Sequence, residues 1–242
     1  MKSYKGLTNN ELKILAIIAM TMDHIAYGFI TPSTITYEVF RAIGKLTIVI
    51  MCYMVVEGYK HTHNIKKYLL RMFIFALISH IPYVFLFTGK VSLLFGERNF
   101  HTSVIWSLLL GLILICVWND DRFKKIYKII LLIIICCLST LGDWGIFAVI
   151  LIFGFNIYYG NRKKQMIFLG ICAMFIDILT IYQLSLRGAG AWYSEIYLFG
   201  LLLGIPVLLK YNGTLGKSKN LKWLFYIYYP LHQVILGILA HI

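Results

Sequence analysis

Residues 11–30 read Glu11-LKILAIIAMTMDHIAYGF-Ile30. As a helix rising about 1.5 Å per residue, this stretch matches the ~30 Å hydrocarbon core of a bilayer. It is apolar except for Glu11 and Lys13 at its start, Thr21, and Asp23 and His24 just past its middle. Ionisable groups at that depth are costly and as a rule face a protein interior or a water-filled cavity. The segment therefore reads as the first span of a helical membrane protein, with a functional site inside it. The plainer alternative is a buried polar lock between helices.

Stretches of similar length and hydropathy recur along the 242 residues. They predict nine spans, at about 12–30, 39–58, 68–88, 103–118, 126–141, 144–159, 166–183, 195–209 and 221–241. The fold class is all-α, a polytopic helical membrane protein with residues 1–242 as a single integral membrane domain. Only 14% of the chain is charged, where a soluble protein carries about a quarter. No small-residue cleavage site follows the first apolar run, so no cleavable signal peptide is expected. Cys52, Cys116, Cys136, Cys137 and Cys172 lie inside apolar runs without ligand spacing. They read as packing residues, with no disulfide framework and no metal site.

The formal charge is +13, but its distribution argues against nucleic acid. Of the 23 Lys and Arg, only Arg41, Lys45, Lys90, Arg98 and Arg187 fall on one side of the predicted membrane. The rest fall on the other, and the alternation holds at every loop. The positive-inside rule then puts the N-terminus in the cytoplasm and the C-terminus outside. A multi-pass protein of the plasma (inner) membrane is expected, with the lipid bilayer as its surroundings. The oligomeric state, a homo-oligomer included, stays open.

Adjacent helical residues point about 100° apart, so Asp23 and His24 need different partners. Arg41 and Lys45 lie four apart in the second span and descend toward the depth of Asp23. They read as a cationic pair that fixes Asp23 or holds an acyl or phosphate oxygen. Alternatively they snorkel to the interface. The inner end of that span runs Glu57-Gly-Tyr-Lys-His-Thr-His-Asn64, followed by Lys66, Lys67 and Arg71. Glu57, His61, Lys66, Lys67 and Arg71 suit the mouth of a site for an anionic cofactor. An ordinary basic loop on anionic lipid explains the lysines alone.

His80 precedes Pro82, whose ring frees a backbone carbonyl one turn earlier that His80 can serve. Asp177 lies in the seventh span, and Asn99, His101 and Asp143 lie at span ends, where they suit an acceptor vestibule. The last span, Trp223-Leu-Phe-Tyr-Ile-Tyr-Tyr-Pro-Leu-His232-Gln233, kinks at Pro230 and places Tyr226, Tyr229 and Gln233 on one face. That face suits an aromatic-walled cavity, and Tyr229 is taken as a cofactor contact.

Histidines, a carboxylate and fixed cations in a dry site suit proton transfer with stabilisation of an oxyanion. Acyl transfer is one reading, with His24 as general base and His80 or His232 as the other candidates. A proton-coupled exporter using Asp23 and Asp177 is a second. A non-catalytic membrane assembly factor is a third.

Four segments carry a resemblance: LKILAIIAMTMDHI (12–25), FRAIGKLTIVIMCYMVVEGYKHTHNIKKYLLRMFIFALISHIPY (40–83), GDWGIFAVILI (142–152) and FYIYYPLHQVILGIL (225–239). In this order, along nearly the whole chain, they resemble the TraX family of membrane acetyltransferases. The resemblance implies acetyl-CoA as co-substrate and a site that includes Asp23, His24, Arg41, Lys45, Glu57, Arg71, His80 and His232. Lys45 stands where the family usually has arginine, which keeps the charge but loses the bidentate fork. The implied acceptor is a peptide N-terminus such as a pilin's, or a surface glycan, and transfer falls on its amine or hydroxyl.

Overall fold

The computed structural model describes residues 6–91, 101–187, 192–216 and 221–241. Asn99 and Arg98 lie outside the described residues, as do Lys2, Lys5, Lys217 and Lys219 and the side chain of Arg187. The elements are α1 (Asn9–Phe29), α2 (Ile35–Gly44), α3 (Leu46–His61), α4 (Ile65–Thr88), α5 (Val104–Trp118), α6 (Lys125–Ser139), α7 (Gly145–Ile157), α8 (Arg162–Arg187), a 3-10 helix (Trp192–Leu203), α9 (Gly204–Leu209) and α10 (Leu221–His241).

Five helical segments are long and apolar enough to cross a bilayer: Asn9–Phe29, Ile35–His61, Ile65–Thr88, Arg162–Leu186 and Trp223–His241. The other apolar helices are shorter than the expected spans. Two expected spans are also built differently. The second breaks at Lys45, whose N–H is shared between the Arg41 and Ala42 carbonyls, both at 3.2 Å. The eighth is mostly 3-10 helix. At ~2.0 Å per residue its 12 residues extend about 24 Å, so a short segment reaches further than an α-helix would.

Local chemistry sets the helix ends. Thr8 and Glu11 form a capping box at α1: the Thr8 N–H donates to Glu11 Oε2 at 2.7 Å and the Glu11 N–H to Thr8 Oγ1 at 3.3 Å. Asn64 caps α4 through the Lys67 N–H at 2.9 Å. Gly89, at φ 68°, ends that helix in the left-handed conformation that glycine adopts without a Cβ penalty.

The chain divides into two compact units, residues 1–51 with 160–225, and residues 52–159 with 226–242. In the first unit, α2 packs on α1 and on the 3-10 helix, and α8 packs on the 3-10 helix and α9. Small residues permit the close approach. A Cβ at Gly44 would run into the Asp23 side chain, one at Gly200 into the Ala42 backbone, and one at Gly204 into Val49. The Thr47 hydroxyl donates to the Ala16 carbonyl at 3.1 Å. The segment before α1 is strapped to the one after α9 by Leu7 N–H to Lys210 O and Asn212 N–H to Leu7 O, each 2.8 Å.

In the second unit, α5 is the central helix, against α4, α6 and α7. Leu108, Leu112, Leu114 and Ile115 are fully buried. A helix apolar on all sides belongs inside a bundle. The tight α6–α7 turn passes through Trp144 at φ 60°. It is tied to the start of α5 by Thr102 N–H to Leu141 O (2.7 Å) and Asp143 N–H to Thr102 O (2.8 Å).

Outward faces are apolar. Ile227, Leu231, Ile235 and Leu239 line one side of α10, and Ile167, Ile171, Phe175 and Ile178 line α8, all exposed. Such faces require lipid to cover them, and helices satisfy their own backbone groups there.

Candidate functional site

In the first unit Asp23 sits between two cations. Arg41 Nη1 donates to Asp23 Oδ2 at 2.7 Å, and Lys45 Nζ to Asp23 Oδ1 at 3.4 Å. These are the span-two cations expected to reach it. Lys45 stands at the break between α2 and α3, and Gly44 beside it admits the Asp23 side chain. The pattern did not reveal Tyr197, from the 3-10 helix. Its ring lies 4.8 Å from the Arg41 guanidinium and 4.8 Å from the Lys45 ammonium. Tyr27 and Tyr37 stand at 5.9 and 5.8 Å from Arg41. Two cations on one carboxylate leave a net charge of +1, held by the faces of tyrosine rings. His24, beside Asp23, is half-buried.

In the same unit Asp177 is 1% exposed on the α8 stripe of Leu169 and Ala173. Neither carboxylate oxygen has a hydrogen-bond partner among the described residues.

The second unit holds the other two candidate bases, His80 and His232. His80 Nδ1 lies 3.0 Å from Thr102 Oγ1. Thr102 is itself fixed at both backbone groups by the α6–α7 turn. His232 is 4% exposed. Its Nδ1 lies 2.9 Å from the Tyr228 carbonyl. A carbonyl only accepts, so Nδ1 carries the proton and Nε2 holds the basic lone pair. The ring stacks on Tyr228 (5.1 Å, 6°) and meets Tyr229 edge-on at 5.8 Å. Tyr229 in turn reaches Ser103, Val104 and Gln233. A polar row thus runs His80, Thr102, Ser103, Tyr229, His232 within this unit. Thr102 and Ser103 were not singled out in the sequence, since hydroxyls beside an exposed His101 look like an ordinary loop.

The α3–α4 segment divides in two. Glu57 is buried and pairs with His61 Nε2 at 3.6 Å. Burial first, and the Glu57 carboxylate next, raise the phenol of Tyr159 above its ordinary range. Glu57 thus faces other protein groups. Lys66 and Lys67 are exposed. Arg71 lies between the Tyr68 and Tyr226 rings, each 5.3 Å away. Its Nε has no hydrogen-bond partner among the described residues. Tyr226 also donates to Met72 Sδ at 3.4 Å. It faces α4, whereas Tyr229 and Gln233 meet the start of α5. A guanidinium with no carboxylate partner among the described residues, near two exposed lysines in sequence, fits an anionic group such as a phosphate.

Membrane-length apolar helices, a buried histidine and charge-paired carboxylates define a multi-pass membrane protein with polar sites inside its helices. The TraX protein family model matches residues 8–240, and the chain belongs to this family. A curated relative from Dichelobacter nodosus, the "Probable fimbrial assembly protein FimC, serogroup H1", is 30% identical over 230 residues and 93% of each chain. No solved structure matches.

Proposed function

We propose that this protein is a membrane acetyltransferase. It takes acetyl from cytosolic acetyl-CoA and passes it, at or across the plasma membrane, to an amine or hydroxyl of a peptide such as a pilin or of a surface glycan. The observation that carries this reading is the tautomer of His232. With Nδ1–H fixed on the Tyr228 carbonyl, Nε2 can take a proton from the acceptor as its nitrogen or oxygen bonds to the thioester carbon. The carbonyl electron pair moves to oxygen, then returns as the carbon–sulfur bond breaks. The CoA thiolate leaves with the proton from His232. Arg71, Lys66 and Lys67 hold the CoA phosphates. Glu57 and His61 are paired beside them, and Tyr229 borders the acyl group. His80 stands at the other end of the polar row. In the other unit, the Asp23–Arg41–Lys45 cluster, with His24 beside it, is a second candidate centre.

The test is transfer of label from radioactive acetyl-CoA to membrane or peptide fractions by purified protein. His232→Ala is expected to lower kcat at least about 100-fold, the usual scale of general base catalysis, while acetyl-CoA affinity stays within about threefold of the parent. Full activity in His232→Ala together with loss in His24→Ala moves the base to His24. If the parent protein labels no fraction, the enzyme reading is wrong.

Two other readings each have an observation behind them. The unpartnered Asp177 carboxylate suits a proton-coupled exporter, which predicts pH-driven flux in liposomes that Asp177→Asn abolishes. The relative's name suits a non-catalytic assembly factor, for which His232→Ala assembles fimbriae normally.

A further inference from the structure

Among the described residues, the polar row has unmet hydrogen-bonding capacity at the N-terminal end of α5. Ser103 occupies the N-cap, yet its side chain does not cap the helix. It is fully buried, and its hydroxyl makes no hydrogen bond of good geometry. Gln233, from α10, is also fully buried, and neither its amide nitrogen nor its amide oxygen is satisfied. Both side chains, together with the Val104 N–H, converge on the hydroxyl of Tyr229, which is 2% exposed.

The Ser103 hydroxyl and the Gln233 amide therefore keep donor capacity that the Tyr229 phenol does not take up. The Asp143 carboxylate acts on the same phenol through its charge. One Asp143 oxygen is already occupied by the Trp144 N–H at 3.0 Å. The surplus donors need an acceptor, and the Gln233 amide oxygen needs a donor. Buried groups of this kind are normally satisfied, by protein, water or ligand. The Asp143 charge repels a carboxylate, and an ammonium, a donor only, offers no acceptor to Ser103 Oγ and Gln233 Nε2. A neutral group that both accepts and donates fits both sides.

We infer that Ser103, Gln233 and the start of α5 form a binding site for a secondary amide. Its carbonyl oxygen accepts from the Ser103 hydroxyl and the Gln233 amide N–H. An N–H of the same or the next amide donates to the Gln233 amide oxygen. Two sources offer this chemistry in the reaction proposed above, on which the biological role of the site rests: the pantetheine arm of acetyl-CoA and the backbone of a peptide acceptor.

The experiment is calorimetric titration of the purified full-length protein in detergent with two probes, pantetheine and a short N-acetylated alanine peptide amide. Gln233→Met and the milder Ser103→Ala are each compared with the parent. The expected result is a roughly tenfold weaker Kd for one probe in both variants, the loss of about one neutral hydrogen bond in a buried site. Weakened pantetheine binding assigns the site to the donor arm, and weakened peptide binding assigns it to the acceptor. If neither Kd moves beyond about twofold in Ser103→Ala and Gln233→Met, or if the parent binds neither probe, the site holds water only and the inference is overturned. Because the readout is binding, the outcomes separate. Gln233-dependent binding without acetyl transfer removes the enzyme reading and keeps the amide site. Turnover with unchanged binding does the reverse.

Discussion

Asp23 shows how a carboxylate is kept inside an apolar helix. Its two oxygens are divided between Arg41 at 2.7 Å and Lys45 at 3.4 Å, and all three side chains are mostly shielded. Removing the centre of such a cluster strands two cations, whereas removing one cation leaves the carboxylate paired. Asp23→Asn is therefore expected to destabilise the protein by about 3 kcal/mol, the lower end for breaking a buried ion pair. Lys45→Met is expected to cost only about 1 kcal/mol. The double variant should cost less than the two single effects added, since the introduced carboxamide then faces one stranded cation instead of two. Thermal unfolding in detergent, followed by tryptophan fluorescence, measures all three. The pairing was legible in sequence because depth along a helix follows from residue count, and Arg41 and Lys45 share a face. Tyr197 was not, because its approach depends on how a distant 3-10 helix docks. The same holds for Thr102 against His80: only the fixed turn at 139–144 brings that hydroxyl to the ring. A Thr102→Val change removes this restraint, and Thr102→Ser restores the hydroxyl. If His80 takes part in transfer, kcat should fall in the first and recover in the second at unchanged acetyl-CoA affinity.

At the scale of elements, hydropathy located the helices well but not their breaks. The ends of α1, α4 and α10 follow from caps and apolar runs that are local in sequence. The interruption at Lys45 does not, because it comes with the packing of α2 on α1 and the 3-10 helix, not with a proline or a glycine run. Likewise nothing local marks Trp192–Leu203 as 3-10 instead of α. The docking of that helix instead depends on Gly200. A Cβ there would run into the backbone of Ala42, and backbone cannot rotate aside as a side chain can. Gly200→Ala is expected to destabilise by about 1–3 kcal/mol through overpacking. Gly170→Ala is the matched control on α8. Its Cβ would meet only Ile205 Cδ1 at 3.7 Å, an ordinary contact, so the helical preference of alanine should stabilise by about 0.5–1 kcal/mol. Opposite signs in unfolding midpoint are the expected outcome. Equal losses would mean that helix α8 packs more tightly than these contacts imply.

For the molecule as a whole, the open question is how many times the chain crosses the bilayer. Five segments have full membrane length, whereas α5, α6 and α7 have 15, 15 and 13 residues, about 20–22 Å as helices. If only the five long segments cross, α5, α6 and α7 stay on the outer side. The basic connections around Arg122 and Lys163 then face outward. If the short helices and the 3-10 segment also cross, through a bilayer thinned locally around them, both connections face the cytoplasm. Each scheme has an odd number of crossings, so with the N-terminus in the cytoplasm, as the positive-inside rule expects, the C-terminus is outside in both and a terminal reporter does not separate them. The Lys/Arg bias does, because the connections at 119–128 and 159–164 carry Arg122, Lys124, Lys125, Lys128, Arg162, Lys163 and Lys164. Basic residues close to span ends are held on the cytoplasmic side. With the five native cysteines replaced, Asp121→Cys and Lys163→Cys are therefore expected to resist a membrane-impermeant maleimide in intact cells and to react after permeabilisation. Lys90→Cys, outside in both schemes, should react in intact cells and serves as the positive control. Labelling of Asp121→Cys without permeabilisation would reduce the crossings to those of the long helices and make α5, α6 and α7 a re-entrant layer.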